Sequence, residues 1–423
     1  MNFSSFNLHP KINAGITAAG YSTPTPIQAQ AIPKIMRQRD VMGLAQTGTG
    51  KTAAFGLPIL HRLLTEPRGG VRALVIAPTR ELAEQIHESL SQLGNRSGLR
   101  STTIYGGVGI NPQIARLKKG VDIVVACPGR LLDHIQQGTI DLRRLQMLVL
   151  DEADQMFDMG FLPDIRRIIK ALPVQRQTLL FSATMPKEIR HLAEEVLTDP
   201  ERVQVDIVAP AETVSHALYP VPQHLKTNLL LKLLQQTNTE SVLVFTRTKH
   251  RAKRLGEKLG KSGYRAASLQ GNLSQNKRQA ALNGFRDGSV QILVATDIAA
   301  RGIDVSQVSH VINFDIPNTT EAYIHRIGRT GRASRSGDAF TLITEEDRAM
   351  VRAIEKVLGQ QVEQRTLENF DYRLPAPART GQSPRSAKPV QARKNGIPTG
   401  NGSLPQPARR RPRRRAANRV GTL

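Results

Sequence analysis

Residues 41–64 read VMGLAQTGTGKTAAFGLPILHRLL, a glycine-rich turn between two apolar segments. The short apolar run Val41–Leu44 before the turn predicts a strand, and the apolar spacing over 53–64 predicts a helix. The turn itself, residues 45–52, fits the pattern of a phosphate-binding loop, with Ala45 in place of the usual first glycine. The alternative interpretation is a flexible Gly/Thr turn that matches the pattern by chance.

The loop contains the residue types that bind phosphate groups. Gly48 and Gly50 allow backbone amides to turn toward phosphate oxygens. Lys51 can reach the β- and γ-phosphates of a nucleotide, and the hydroxyl of Thr52 can bind Mg²⁺. We therefore predict a nucleotide site formed by Ala45, Gln46, Thr47, Gly48, Thr49, Gly50, Lys51 and Thr52.

A second motif, LVLDEAD at residues 148–154, follows the pattern of a strand that ends in carboxylates. Asp151 is predicted to bind Mg²⁺, directly or through water, and Glu152 to act as the base on the attacking water. Carboxylates are also common at helix N-termini because of the helix dipole, and this is the alternative interpretation.

Short apolar runs alternate with longer helical patterns, as at 80–93 and 163–172, over most of the chain. Runs that are apolar at consecutive positions are typical of buried parallel strands. The sequence therefore predicts two α/β domains, with strands at 73–77, 122–126, 147–150 and 178–181 in the first and at 242–246, 290–295, 310–314 and 339–343 in the second. Residues 206–222 contain three prolines and little periodicity, which predicts a linker.

The composition limits the class of protein. A single cysteine, Cys127, excludes an internal disulfide and a multi-cysteine zinc site. The sequence has neither an apolar run of membrane-spanning length nor a secretory signal, so we expect a cytoplasmic protein with no membrane partner. With 59 Lys and Arg against 35 Asp and Glu, the net charge is +24, which is typical of proteins that bind polyanions.

The C-terminal segment from Asp371 to Leu423 has thirteen Lys or Arg residues and one acidic residue. It is rich in Pro, Gly and Arg and has few large apolar residues, so we expect it to be disordered. The run ARRRPRRR at 408–415 predicts contacts with nucleic-acid phosphates through charge. A tail that only increases solubility is the alternative.

Several motifs, in order along the chain, resemble those of DEAD-box RNA helicases. They are GYSTPTPIQ at 20–28, AQTGTGKT at 45–52, PTREL at 78–82, the glycine pair 106–107, DEAD at 151–154, SAT at 182–184, VFTRT at 244–248, Gln275-x-x-Arg278, ATDIAARGID at 295–304 and HRIGRTGR at 325–332. The resemblance covers roughly residues 1–360. Within the family, VFTRTKH, HRIGRTGRA and the short N-terminus are most similar to the RhlE-type bacterial subgroup.

The resemblance implies an α/β fold of two tandem RecA-like domains, each a mostly parallel sheet flanked by helices, with ATP bound between them. The predicted organisation is an N-terminal ATP-binding domain over 1–205, a linker over 206–222, a C-terminal helicase domain over 223–370 and a disordered basic tail over 371–423.

The resemblance also assigns residues to ATP. Gln28 would read the adenine edge through its amide, and Phe3, seventeen residues before Gly20, would stack on the base. A simple core contact is the alternative for Phe3. Asp304 would bind the ATP ribose.

Catalysis and coupling would involve both domains. Arg329 and Arg332 resemble the fingers that meet the γ-phosphate when the domains close, although without the other motifs a solvated basic helix would be favoured. Lys51, Asp151 and Glu152 complete the predicted catalytic set. Coupling would depend on Ser182, Ala183, Thr184 and His325.

RNA contacts would come from backbone amides and small polar groups, which position a strand without reading its bases. The resemblance assigns them to Pro78, Thr79, Arg80, Gly106, Gly107, Gly129 and Arg130 on one side, and to Thr246, Gln275, Arg278, Thr296 and Gly302 on the other. Two positions depart from the family pattern. Cys127 replaces the usual Thr before Pro128, which removes a hydroxyl from the RNA site, and Gln155 follows DEAD where Arg is common.

The implied function is an ATP-dependent RNA helicase whose RNA-stimulated hydrolysis drives local, non-processive unwinding of short duplexes, in ribosome assembly or mRNA turnover. An ATP-gated RNA clamp or annealing protein with little unwinding is the alternative. A DNA helicase is a third hypothesis, against which the DEAD tetrad and the adenine-reading motif argue. The expected cofactors are ATP and Mg²⁺. RNA is the expected partner of a monomeric protein, with ribosome-assembly or RNA-decay proteins as further candidates.

Overall fold

Two parallel β-sheets account for nearly all strands in the computed structural model, which describes residues 2–46, 48–205, 214–237, 240–300, 308–330 and 337–376. Residues up to Pro375 form one unit that contains both sheets. We call the part up to residue 205 the N-terminal half and the part from residue 214 to 376 the C-terminal half. Residues 377–423, which are most of the predicted tail, lie outside the described residues. The predicted disorder of the tail therefore stays a prediction.

The sheet of the N-terminal half has seven strands within the described residues. They are β1 (Val41–Leu44), β2 (Ala73–Ile76), β3 (Ser101–Ile104), β4 (Ile123–Ala126), β5 (Met147–Leu150), β6 (Gln177–Ser182) and β7 (Glu201–Gln204). Their order across the sheet is β3-β4-β2-β5-β6-β1-β7, and every pairing is parallel. The carboxyl ends of the strands therefore meet at one edge, where ligands of such sheets usually bind.

The sheet of the C-terminal half repeats this arrangement. Its described strands are β8 (Val214–Pro220), β9 (Val242–Phe245), β10 (Ala266–Leu269), β11 (Ile292–Ala295), β12 (His310–Asn313), β13 (Gly337–Ile343) and β14 (Glu363–Gln364). The order is β10-β11-β9-β12-β13-β8-β14, again parallel throughout. Position for position, this is the strand order of the N-terminal half.

Helices connect the strands and cover both sheets. In the N-terminal half they are α1 (Pro10–Ala18), α2 (Pro26–Met36), α3 (Lys51–Thr65), α4 (Arg80–Leu93), α5 (Ile110–Lys118), α6 (Pro128–Gln136), α7 (Ala153–Asp158), α8 (Leu162–Lys170) and α9 (Lys187–Val196). In the C-terminal half they are α10 (Lys226–Gln236), α11 (Lys249–Lys261), α12 (Gln275–Arg286), α13 (Asp297–Ala300), α14 (Thr320–Ile327) and α15 (Arg348–Leu358). Short 3₁₀ turns span Phe3–Phe6, Gln223–Leu225 and Glu345–Asp347.

The central strands are buried on both faces because helices cover each sheet. Strands β2, β4 and β5 are apolar and buried at every position, as expected of a parallel sheet between two helical layers. The two α/β folds predicted from the sequence are therefore confirmed. No helix within the described ranges has the length and apolar character needed to cross a lipid bilayer.

The predicted linker 206–222 differs from the structure in its second part. Residues 214–220 form strand β8, which pairs with β13 and β14 inside the second sheet. Proline is tolerated here because Pro220 is the last residue of the strand, where a missing N–H removes little of the ladder. Residues 206–213, the first part of the predicted linker, lie outside the described residues.

A buried lysine begins the first helix of the C-terminal half. Lys226 is 2% exposed, and its ammonium group donates hydrogen bonds to the carbonyl oxygens of Phe314 (3.2 Å) and Leu342 (2.8 Å). Burial lowers the pKa of Lys226. Both acceptors lie at the carboxyl ends of β12 and β13, so the lysine fastens α10 to that edge of the sheet.

Candidate active site

The glycine-rich turn after β1 is held by hydrogen bonds at both of its ends. The amide of Ala45 donates to the carbonyl of Ser182 (3.0 Å), and the ammonium of Lys51 donates to the carbonyl of Ala45 (2.8 Å). Gly48 and Gly50 have φ values of 86° and 94°, which favour glycine. The turn thus has the form of a phosphate-binding loop. Thr47 lies outside the described residues.

Gln28 fixes the loop to the preceding helix. Its side-chain oxygen accepts from the amide of Thr25 (3.0 Å), and its side-chain nitrogen donates to the carbonyl of Gly50 (3.1 Å). A Cβ atom on Gly50 would lie 2.4 Å from that nitrogen, so a larger residue would displace the Gln28 amide as well as strain the backbone. The residue predicted to read adenine is therefore joined directly to the phosphate loop.

Phe3 lies in the N-terminal 3₁₀ turn and is 5% exposed. Its ring meets Phe6 and Tyr21 edge-on, with centroids 5.9 Å and 6.0 Å away. This packing is the core contact that the sequence left open as an alternative. Tyr21, in the GYSTPTPIQ motif, is the more exposed ring at 38%.

The DEAD motif begins where β5 ends. Asp151 and Glu152 are both 2% exposed, and burial raises the pKa of Asp151 to about 7 against the opposing effect of Lys51. Glu152 has φ 53° and ψ 52°, a left-handed conformation that is uncommon outside glycine. This strained turn presents two adjacent carboxylates at the strand end beside the phosphate loop.

Asp154 links the DEAD motif to the SAT motif. One of its carboxylate oxygens accepts from the amide of Thr184 (2.9 Å), its hydroxyl (3.0 Å) and the amide of Ala183 (3.2 Å). The hydroxyl of Ser182 accepts from the amide of Asp154 (3.2 Å) and donates to the carbonyl of Thr184 (2.7 Å). A shift of either motif therefore moves the other.

A cavity of about 670 Å³ lies between the two halves. Asp154 and Thr184 line it from the N-terminal half, and His325 and Arg329 from the C-terminal half. Arg329 is 5% exposed and donates to the carbonyl of His325 (3.3 Å). The predicted coupling residue His325 and the predicted finger Arg329 thus share a cavity with the DEAD and SAT motifs. Arg332 and Asp304 lie outside the described residues.

Arg326 has a structural role that the sequence analysis missed. Its guanidinium makes two hydrogen bonds to Asp297 (2.6 and 2.7 Å) and donates to Asn313 (3.0 Å) and to the carbonyl of Asp315 (2.7 Å). Its position inside HRIGRTGR was visible in the sequence, but its partners are distant along the chain. Arg326 holds helix α14 against the strand ends. This helix carries His325 and leads directly to Arg329.

A second cavity, of about 530 Å³, also has walls from both halves. Most of the residues predicted to bind RNA line it: Pro78, Thr79, Arg80, Gly106, Gly129, Arg130, Arg278 and Thr296. Arg247, Lys249 and Phe161 line it too, although they were not among the residues predicted to bind RNA. The cavity is cationic and bordered by glycines, which suits the close approach of a phosphate backbone.

Three described residues that were predicted to bind RNA do not line this cavity. Thr246 is fully buried, and its hydroxyl donates to the carbonyl of Thr248 (3.4 Å). Gly107 has φ 80° and lies under the guanidinium of Arg80. Gln275 joins the two halves instead, since its side chain bonds to Arg80 and Glu81 (3.4 Å each). Gly302 lies outside the described residues.

Cys127 lines the second cavity at the start of α6. Burial raises the pKa of its thiol to about 12, and nearby Glu81 adds to the effect. The thiol is therefore neutral at physiological pH and offers a phosphate only a weak donor.

Two family descriptions match most of the chain. The description DEAD/DEAH box helicase matches residues 25–192, and the helicase conserved C-terminal domain matches residues 225–334. The protein described as DEAD-box ATP-dependent RNA helicase CshA of Bacillus subtilis (strain 168) is 45% identical over 377 residues, which is 88% of this chain and 76% of that protein. The chain belongs to the family of DEAD-box ATP-dependent RNA helicases. Members of this family are ATP hydrolases.

Solved structures of this helicase family share the fold. Saccharomyces cerevisiae Dbp5 bound to RNA and ADP BeF3 is similar with a TM-score of 0.78 and 30% identity, over 86% of this chain and 95% of that one. A DEAD box protein from the hyperthermophile Methanococcus jannaschii is 36% identical with a TM-score of 0.51, over 86% of this chain and 99% of that one. The two tandem RecA-like folds predicted for this helicase are thus confirmed.

Proposed function

We propose that this chain uses ATP hydrolysis to open short RNA duplexes locally and without long tracking. The observation that supports this best is that both cavities of the site have walls from both halves. A ligand that contacts both walls favours the arrangement in which the halves are close. Two ligands that favour the same arrangement favour each other, so ATP and RNA would bind cooperatively.

The triphosphate of ATP would bind at the phosphate loop, with Lys51 releasing the Ala45 carbonyl to contact the β- and γ-phosphates. Among the described residues, no group of three His, Cys, Asp or Glu side chains could hold a metal ion unaided. Mg²⁺ nevertheless fits the residues beside the phosphate loop, because one carboxylate together with phosphate oxygens and water is a usual ligand set for this ion. Thr52 and Asp151 would hold the ion, which would neutralise charge on the phosphates.

Hydrolysis would need groups from both halves. Glu152 would accept a proton from the attacking water. Arg329 would stabilise negative charge on the transferred phosphoryl group, together with Arg332, and a finger of this kind is worth about a thousandfold in rate or more. Because these arginines belong to the C-terminal half, hydrolysis would be slow until RNA favours closure.

The link between hydrolysis and RNA would pass through Asp154. Its carboxylate accepts three hydrogen bonds from Ala183 and Thr184, and the cavity that it lines continues to His325. When the γ-phosphate leaves, the tie between the halves is lost, and they separate. Strand opening by closure of one groove gives local unwinding, in which a few base pairs open per event.

RNA would bind in the second cavity through backbone amides, Arg80 and Arg130. Contacts of this kind fix a strand without reading bases, so sequence preference in this groove would be weak. Discrimination against DNA would come from contacts to the ribose 2′-hydroxyl groups. The basic tail, including residues 408–415, would raise the concentration of RNA near the groove.

The finer assignments are proposals too. VFTRTKH and HRIGRTGRA support the RhlE-type subgroup, although the relatives described above have another name. We propose action in ribosome assembly or mRNA turnover, a cytoplasmic location and a monomeric state, with proteins of those pathways as candidate partners. The net charge of +24 supports RNA as the principal ligand.

The deciding experiment measures ATP hydrolysis by the full chain with no nucleic acid, with single-stranded RNA and with DNA of the same length. The variant Glu152→Gln keeps the size of the side chain and removes the proposed base. We expect stimulation by RNA only, absent in the variant, with ATP binding retained. Unwinding of a short RNA duplex is then measured with the same two proteins.

Each other outcome rejects a part of the proposal. Equal stimulation by DNA would favour a DNA helicase. Stimulation by RNA without unwinding of the short duplex would favour an ATP-gated clamp or annealing protein. Unwinding that is as efficient for long duplexes as for short ones would exclude the local mechanism.

A further inference from the structure

Helix α11 carries a cationic surface that extends beyond the second cavity. Its sequence, KHRAKRLGEKLGK, has six Lys or Arg residues and one Glu. Ala252, Leu255, Gly256 and Leu259 face the core, and the charged residues other than Arg251 are exposed. The helix is therefore amphipathic with an almost purely basic outer face.

Three cations on this face have no ion-pair partner among the described residues: Arg254, Lys258 and Lys261. The single acid of the helix, Glu257, is paired with Lys253 at 3.8 Å, and Arg251 is paired with Asp315. The spacing of four and three residues places the three on one stripe of the helix, about 10 Å long. We call these three residues the α11 stripe.

The stripe continues from the proposed RNA groove. Helix α11 begins at Lys249, which lines the second cavity together with Arg247. The exposed His250 and then the α11 stripe follow along the helix away from the cavity. A strand that leaves the groove beside Lys249 would meet evenly spaced positive charges on its way out.

We propose that the α11 stripe binds the phosphate backbone of RNA that extends beyond the groove. This inference rests on the proposal that RNA occupies the second cavity. A phosphate backbone fits better than an acidic protein surface, because the stripe is linear, continuous with the groove and without apolar residues between its charges. Contacts to phosphates add affinity for long RNA of any sequence and leave the groove itself unchanged.

The test uses the full-length triple variant Arg254→Gln, Lys258→Gln, Lys261→Gln. The matched control is Arg348→Gln, Arg352→Gln, Lys356→Gln, which removes the same charge from exposed residues of α15 in the same half. Binding is measured as a function of salt for an RNA of about ten nucleotides, which fills only the groove, and for one of about thirty. Thermal unfolding checks that both variants fold.

We expect the stripe variant to bind the longer RNA about tenfold more weakly, with a salt slope lower by about two, as expected for three lost phosphate contacts. Its affinity for the shorter RNA, and the ATP hydrolysis which that RNA stimulates, should equal those of wild type. The control variant should match wild type in every measurement.

Two results would overturn the inference. Equal losses in both variants would mean that only net charge matters. Unchanged affinity of the stripe variant for the longer RNA would leave an acidic protein as the class of partner for this face. Failure of the proposed function is distinct, because the wild type would then show no stimulation by the shorter RNA.

Discussion

Glu81 and Arg278 form a buried ion pair between the two halves of the protein. The guanidinium Nε of Arg278 lies 2.7 Å from a carboxylate oxygen of Glu81, and their side chains are 11% and 3% exposed. Each half packs its own hydrophobic core. The Glu81–Arg278 pair is therefore a direct contact that joins the two halves. It lies beside the second cavity, which Glu81 and Arg278 both line.

Removal of the Glu81 charge should weaken the response to RNA. In Glu81→Gln the guanidinium of Arg278 stays buried without its counter-charge, and loss of one partner of such a pair costs about 2 kcal/mol or more. We expect the RNA concentration for half-maximal ATP hydrolysis to rise about thirtyfold. The control is Glu195→Gln, which breaks the exposed pair with Arg166 and should change little. Equal effects of the two variants would contradict a role for the tie.

A methyl group at Gly50 should abolish nucleotide binding. Gly50→Ala adds a Cβ 2.4 Å from the side-chain nitrogen of Gln28, at a φ of 94°. Gly138→Ala is the matched control, since Gly138 also has a positive φ (63°) but has open space around it. Binding of a fluorescent ATP analogue should be lost in the first variant and retained in the second. Both should lose about 1 kcal/mol of stability through backbone strain.

His134 should make the protein less stable in acid. It is fully buried, its Nδ1 lies 2.8 Å from the hydroxyl of Thr139, and burial lowers its pKa, with Arg130 adding to the effect. Since the unfolded state takes up a proton more readily, the stability that neutral His134 provides is complete above about pH 6.5 and falls as the pH drops through the lowered pKa.

The variant His134→Gln tests this by chemical unfolding between pH 7 and pH 5. We expect the free energy of unfolding to fall less with pH than in wild type, by up to about 1.4 kcal/mol per pH unit. His191→Gln is the control, because His191 is 70% exposed. A pH dependence that is the same in all three proteins would show that other groups cause the acid lability.

The thiol of Cys127 should resist alkylation in the folded protein. With its pKa raised to about 12 by burial, only about one thiol in ten thousand is ionised at pH 8. Iodoacetamide should therefore react about a thousandfold more slowly with native protein than with protein in urea. Mass spectrometry gives both rates without ambiguity, because the chain has one cysteine. Similar rates in the two states would show that the thiol is ionised or exposed.

The sequence predicted most central strands, missed the strands at both edges of each sheet, and assigned the segment of β8 to the linker. Strands β3 (STTI) and β10 (AASL) occupy the same edge position of their sheets, where one side lacks a neighbouring strand. Polar and small residues are tolerated there, so the run of large apolar residues that identified the central strands is absent. Helix α4, by contrast, begins and ends at the predicted residues. The hydroxyl of Thr79 caps its start with a hydrogen bond of 3.2 Å to a backbone amide.

The candidate site was predictable where a motif is local in sequence. The loop around Lys51 and the pair Asp151–Glu152 each consist of residues that are adjacent in sequence, so a local pattern was enough to predict them. The contacts of Arg326 with Asp297 and of Glu81 with Arg278 join residues 29 and 197 positions apart. Such pairs depend on how strands are ordered and how the halves meet, which no local pattern specifies.

The identical strand order makes the two halves structural copies of one another, and one shared position is used differently in each. In both copies a lysine opens the helix after the equivalent strand: Lys51 after β1 and Lys226 after β8. In the first copy this lysine follows a glycine loop that can exchange a carbonyl for a phosphate. In the second copy the ammonium already donates to two main-chain carbonyls at the carboxyl ends of β12 and β13, so groups of the protein itself bind this lysine. In the function that we propose, the first half would receive the phosphates of ATP and the second half would contribute arginines.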